Sequence, residues 1–334
     1  MSKKLAVFDM DYVAFQAAAL SEERSINVIH KQSGREMKFA NRTEFYGNWR
    51  KKDGGWLAEK NKGRDSPFLL EEFEIVDVQT PSSIGHCINV IKTQIESIQS
   101  RLGLGMKDYY GFVGKGDSWR VEASTILKYK GNREGTLRPL FLDEAKEYVV
   151  KKCNCEFQEH LEADDRVVME SHRNPERIIV GVDKDYMGTA CLVFNPDRMD
   201  TPQDCHGVGK LFLDDKNKVR GWGRKFFAFQ ALYGDSSDNY YANSACPETK
   251  WGEKSTYNAL VGCKTDKEIW EALVNSYKNL YPEPKKIVGW RGNELEVDWK
   301  YVLQENLTMA HMLRWEGDSL NVTNILDRLK LDYK

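Results

Sequence analysis

Three carboxylates fall within four residues at Glu162-Ala163-Asp164-Asp165, directly ahead of the apolar helical run Val167-Val168-Met169. Two further acidic knots follow. Asp183-Lys184-Asp185 closes the apolar stretch Ile178 to Val182, and Asp235-Ser236-Ser237-Asp238 comes after Gly234. The local sequence dedicates no cationic side chain to each knot, so their combined charge calls for a bound cation. A divalent-metal site is the leading expectation, and an oxygen-only donor set points to Mg²⁺ or Mn²⁺ rather than zinc.

The spacing within each knot suits that task. Asp164 and Asp165 lie in a first helical turn, where the helix dipole favours each negative charge by roughly 0.3–1 kcal/mol. Asp183 and Asp185, two apart at a strand end, project to one side of an extended chain. Asp235 and Asp238, three apart, share a face if a helical turn forms. Asp9 adds a carboxylate at the end of the buried strand Leu5 to Phe8. Any single knot is ordinary for a helix start or a turn. Four segments that together deliver carboxylates to strand ends allow two cations about 3.5–4 Å apart. In that arrangement one side of a phosphodiester faces an activated water and the other a stabilised leaving oxygen.

The periodicities predict an α/β fold: a central, mostly parallel sheet with helices on both faces and a helical C-terminal region. Strands are expected at Leu5–Phe8, Tyr109–Val113, Ile178–Val182, Cys191–Phe194 and Lys210–Leu213. A hairpin is expected within Ser25–Phe45, around Gln32-Ser33-Gly34. Helices are expected at Tyr12–Leu20, Ser82–Leu102, Pro139–Lys152, Glu162–Ser171, Lys225–Tyr233, Ser255–Val261, Lys267–Tyr277 and Trp299–Trp315. The chain of 334 residues is read as a catalytic domain over 1–240, with an insertion at about 25–80, followed by a helical region over 241–334. Its N-terminal apolar run breaks at Asp9 and Asp11, which excludes a signal peptide or membrane span and predicts a cytoplasmic protein. Seven scattered cysteines form no disulfide framework. The net charge of −2 does not exclude nucleic acid, because setting aside the carboxylates assigned to metal leaves the rest of the surface positive.

The order of motifs is more specific than any one of them. A strand ending in Asp9, then Tyr129-Lys130-Gly131-Asn132-Arg133, then EADD, DKD and GDSSDN resembles the structure-specific 5′ nucleases, most closely the 5′→3′ exonucleases and flap endonucleases of tailed phages. The resemblance covers Leu5 to about Leu260 with one insertion. It implies an α/β, PIN-like nuclease cutting near DNA 5′ ends with two Mg²⁺ ions. It makes Asp9, Glu162, Asp164, Asp165, Asp183, Asp185, Asp235 and Asp238 the metal-binding set. Asp11 is an accessory carboxylate, and Asp117 stands in by a register shift for an aspartate the family carries after the second strand. Lys130 and Arg133 are expected to contact the scissile phosphate from the base of a helical arch at about 117–152. Arg120 is the accompanying basic residue and Tyr129 a DNA contact. Lys254 and Ser255 belong to a segment that only partly resembles the family's helix-hairpin-helix.

Two other groups have plainer explanations. Cys153, Cys155, His160, Cys191, Cys205 and His206 match no common zinc-finger spacing and read as buried, reduced residues. Arg50, Lys51, Lys52, Lys60, Lys62 and Arg64, beside Trp49 and Trp56, suit either a nucleic-acid contact or a solvated loop. The expected partner is DNA with a free 5′ end, whether duplex, nicked or flapped. RNA·DNA hybrids are an alternative substrate, and a non-catalytic DNA-binding module is the alternative of another class. The complete carboxylate set argues against the module, since unneutralised acid repels phosphate.

Overall fold

The computed structural model describes residues 5–332. The first apolar run forms the strand Ala6–Asp9, buried along its whole length. A strand without polar alternation belongs where both faces are covered, and this one lies inside a six-stranded sheet. The order is Cys155–Glu159, Tyr109–Lys115, Ala6–Asp9, Ile178–Val180, Leu192–Phe194, Gln203–Asp204. All neighbours are parallel except the last pair. Phe8 lies opposite Gly111 on one side and Val180 on the other. Strand order reverses about Ala6–Asp9, and ligands of open α/β sheets bind beyond the carboxyl ends of the strands at such a switch point.

The helix Ala163–Arg173 buries Val167 and Val168 against Val7, Phe112, Ile179 and Val193, which carries its acidic first turn to the sheet edge. A second, larger core runs from Ile126 through Phe226, Leu273 and Leu307 to Leu326, across the expected boundary at 240.

The chain separates into two compact units. The smaller comprises Ala14–Thr93 with Arg138–Ala145, and the larger takes the remainder. In the smaller unit Glu22–His30 pairs antiparallel with Glu36–Phe39, as the hairpin pattern predicts, and also with Phe73–Pro81, a strand not expected from the sequence. The helices Arg42–Tyr46 and Gly55–Asn61 close over an aromatic core of Phe39, Phe45, Tyr46, Leu57 and Phe73.

Element boundaries depart from expectation where tertiary contacts compete with local pattern. The helix expected to reach Trp315 spans Trp299–Ala310, because the following segment turns away to hydrogen bond elsewhere. The helix expected from Pro139 begins at Leu142, and the hairpin Lys285–Val288 with Glu294–Val297 was unforeseen. No helix among the described residues is long and apolar enough to cross a membrane.

Candidate metal centre

Asp9 lies at the carboxyl end of the central strand, only 8 % exposed. Its Oδ1 accepts the Asp11 backbone N–H at 3.0 Å and its Oδ2 the Tyr186 hydroxyl at 3.1 Å. Tyr186 reaches this position because residue 181 is glycine: a Cβ there would lie 2.4 Å from the tyrosine ring. Burial, with the charges of Asp11 and Asp183 added, pushes the Asp9 carboxyl up to about 7. Asp11 pairs with Lys146 at 2.6 Å and accepts the Gly114 N–H at 2.9 Å, so it is a structural partner of the sheet edge.

Glu162, Asp164 and Asp165 bring one oxygen each within 4.8 Å of one another. Asp165 is fully buried and both its oxygens are filled. Oδ1 takes Arg120 Nη2 at 2.8 Å and the Leu313 N–H at 2.9 Å; Oδ2 takes Arg120 Nη1 and Trp119 Nε1, each at 2.9 Å. The Arg120 guanidinium also donates to Glu162 at 2.5 Å and to the carbonyls of Met309 (3.2 Å) and His311 (2.6 Å). Burial works against the Glu162 carboxylate, yet Arg120 and Lys130 outweigh it and hold it down at about 2. Asp164 is not ion-paired to either; burial and the charges of Glu162 and Asp165 outweigh the more distant pull of Arg120 and Lys130 and push it well above the usual carboxylate range.

Asp185, Asp235 and Asp238 form a second cluster on the same 4.8 Å criterion. Lys184 pairs with Asp235 and lies 3.3 Å from Asp185, whose carboxylate also accepts Gln230 Nε2. Burial pushes Asp185 well up and Asp238 up, whereas Lys184 overcomes burial to hold Asp235 down. Asp183 is exposed; it caps the short helix Lys184–Gly188 by accepting the Asp185 N–H at 2.8 Å, and its charge acts on Asp9 and Asp185.

The segment 128–133 is fastened along the loop of the second cluster. Lys130 N–H donates to the Asp238 carbonyl at 3.0 Å, Arg133 Nε to the Ser237 carbonyl at 2.9 Å, and Asn239 Nδ2 to the Lys128 carbonyl at 3.0 Å. Lys130 is held at a φ of +55°, a conformation that costs a non-glycine residue about 1–3 kcal/mol. Its ammonium contacts Glu162 and lies 4.0 Å from Asp238, while Arg133 Nη2 donates to Asp238 at 2.9 Å.

The structure thus gathers Glu162, Asp164, Asp165, Asp185, Asp235, Asp238, Lys130 and Arg133, with Asp9 and Asp183 within electrostatic reach. Several expectations need correction. The clusters do have cationic partners: Arg120, Lys130 and Lys184, drawn mostly from distant sequence. Arg120 is 2 % exposed and its donors are filled, so it positions carboxylates instead of meeting DNA. Tyr129 is also buried, its hydroxyl 3.1 Å from Glu162 and 3.2 Å from Asp238, bridging the two clusters rather than facing a nucleic acid. Asp165 is braced at both oxygens by Arg120, Trp119 and the Leu313 N–H while remaining within the first carboxylate group. Asp117 is exposed and belongs to neither cluster. Lys254 and Ser255 are exposed at the start of the helix Glu253–Leu260. All seven cysteines are free and buried. Lys184, Tyr186, Trp119 and Gln230 went unassigned in the sequence; only Lys184, Tyr186 and Trp119, adjacent to assigned residues, carried any signal there.

The donor set fits hard divalent cations. Every donor is a carboxylate oxygen, three of the carboxylates are pushed toward protonation by burial and by one another, and added positive charge relieves both effects. The Tyr240 hydroxyl, buried in the field of Asp185, Asp235 and Asp238, has no hydrogen-bond partner among the described residues. Glu162, Asp164 and Asp165 would hold one ion, and Asp185, Asp235 and Asp238 a second.

No protein-family model and no curated protein matches this chain. Among solved structures it is similar to bacteriophage T5 D15 protein co-crystallised with metal ions, at 17 % identity and a TM-score of 0.41 over 72 % of this chain and 89 % of that one. T5 5′-exonuclease with bound zinc gives 16 % identity and a TM-score of 0.39, over 71 % and 86 % of the two chains. A T5 D15 flap endonuclease variant in a pseudo-enzyme–product complex with DNA and metal ions gives 17 % and 0.41, over 72 % and 87 %.

Proposed function

We propose that this protein is a Mg²⁺- or Mn²⁺-dependent 5′→3′ exonuclease with flap endonuclease activity, hydrolysing phosphodiester bonds near DNA 5′ ends in phage replication or DNA breakdown. One observation carries the reading: two carboxylate clusters at the carboxyl edge of a parallel sheet, joined by Tyr129 and faced by Lys130 and Arg133. Bound divalent ions would supply Lewis-acid charge on the phosphate oxygens and an activated water.

The protein's own groups have distinct tasks. Lys130 and Arg133 are ion-paired to Glu162 and Asp238. With divalent ions neutralising those carboxylates, the donors of Lys130 and Arg133 would be free for a phosphate. Lys130 then offers a point charge to the developing oxyanion and Arg133 a fork of donors. Arg120 and Trp119 keep Asp165 fixed, and Tyr186 keeps Asp9 oriented. The resemblance of the motif order to the 5′ nucleases supports a cut near the 5′ end of the substrate.

Duplex, flapped, nicked and RNA·DNA hybrid substrates, labelled separately at each end, test the proposal. EDTA is expected to abolish cleavage, Mg²⁺ or Mn²⁺ to restore it, and 5′ label to appear first in short products. Undiminished cleavage in EDTA overturns the two-cation reading, and first release from the 3′ end overturns the polarity.

A further inference from the structure

The chain spends an unusual amount of local structure on holding one tryptophan in solvent. Asn48 N–H donates to the Asp53 carbonyl at 2.7 Å, and the Asn48 side-chain oxygen accepts the N–H groups of Arg50 (2.9 Å) and Lys51 (3.2 Å). The loop closes so tightly that a Cβ on Gly47, at φ +80°, would lie 1.7 Å from the Asp53 carbonyl oxygen. The result is a short, pinned tip on which Trp49 is 67 % exposed and Arg50, Lys51 and Lys52 are all exposed. A floppy solvated loop needs none of these constraints, and an indole left in water costs free energy unless something covers it.

The chemistry around the tip identifies what would cover it. Between Trp49 and Arg64 there are six cations against two carboxylates. Lys62 pairs with Glu59, but among the described residues Arg50, Lys51, Lys52 and Lys60 make no ion pair. The cations lie against rings: Arg50 over Trp49 at 5.0 Å, Lys60 over Trp56 at 5.8 Å and Arg64 over Phe68 at 4.1 Å. Trp56 and Phe68 pack on the aromatic core of the smaller unit, which anchors the row. An exposed aromatic face accepts an unstacked base, and unpaired cations spaced beside it track a phosphate backbone. Base-paired DNA keeps its bases stacked away from such a face.

We propose that the Trp49 tip and the helix Gly55–Asn61 after it form a binding surface for single-stranded DNA, carried by the smaller unit and sharing no residue with the metal centre. It deepens the nuclease reading by giving an unpaired strand a place to be held, yet it does not depend on cleavage.

The test uses the full chain in EDTA with a fluorescently labelled oligothymidylate. Trp49→Ala is expected to weaken binding about tenfold or more, Trp49→Phe to restore most of it, and Trp49→Leu, apolar but without a π face, to stay weak. The triple change of Arg50, Lys51 and Lys52 to Ala should lower the salt dependence of log K by about two, at roughly 0.7 per phosphate contact. Unchanged affinity in Trp49→Ala, or equal affinity in the Phe and Leu variants, overturns the proposal. So does a wild-type chain that binds anionic lipid vesicles through Trp49 but not the oligonucleotide. A chain that grips the oligonucleotide through Trp49 yet shows no metal-dependent cleavage refutes the nuclease reading alone.

Discussion

Asp164 is the first-cluster carboxylate with no ion pair among the described residues; its Oδ1 accepts only the Asp165 N–H, at 2.6 Å. It is therefore the group with most to gain from a metal ion. Asp164→Asn is expected to cut the cleavage rate by several orders of magnitude while DNA affinity in EDTA is equal or higher, because a charge repelling phosphate is gone. Stopped single-turnover assays with a parallel binding titration check both halves. Lys130 differs in kind. Its ammonium contacts Glu162 at the metal centre, so Lys130→Ala should lower single-turnover cleavage far more than affinity if the charge acts on the transition state. Equal losses in rate and affinity would make it a ground-state backbone contact.

At the scale of elements, the acidic helix Ala163–Arg173 is tied to the last turn of Trp299–Ala310 and the chain after it by Arg120 and Asp165, through Met309, His311 and Leu313. Removing one partner of a buried pair strands the other charge. Arg120→Met should therefore destabilise the protein by about 3–5 kcal/mol in denaturant unfolding, and combining it with Asp165→Asn should recover part of that loss. The same segment contains Asp318, which accepts His311 Nε2 at 2.8 Å and Arg314 Nε at 2.7 Å. Burial opposes its charge, but these donors outweigh burial and hold Asp318 well below the usual carboxylate range. A depressed folded-state value stabilises above the unfolded value near pH 3.9 and is lost as pH falls through the folded one. Asp318→Asn should thus be less stable than wild type at neutral pH, and thermal melts should show the gap closing only in strong acid. These ties also explain why helical periodicity from Trp299 to Trp315 overran the observed helix. The donors and acceptors that break it, Arg120 and Asp165, come from the middle of the chain.

For the molecule as a whole, the proposed polarity requires a free 5′ end. Covalently closed circular duplex should survive conditions that degrade the linear form, and a bulky adduct at the 5′ end should inhibit cleavage while the same adduct at the 3′ end should not; gel analysis of labelled products checks this. Much of this centre was legible in the sequence. Glu162, Asp164, Asp183, Asp185, Asp235 and Asp238 announced themselves because carboxylates at strand ends and helix starts are local signals, set by spacings of two and three residues. The strands Lys210–Leu213 and Leu192–Phe194 were legible for the same reason: alternation and apolar runs are properties of a few consecutive residues. Charge balance is not such a property. Whether Asp165 is braced depends on Arg120, on Trp119 and on a backbone N–H at Leu313, all brought to it by folding. Tyr129 reads as a surface aromatic beside Lys130 and becomes a buried bridge only when 128–133 lies along 236–239. The sequence by itself determined which groups carry the charge; the tertiary structure decided which of those charges are already satisfied, because burial and long-range hydrogen bonds exist only once distant segments meet.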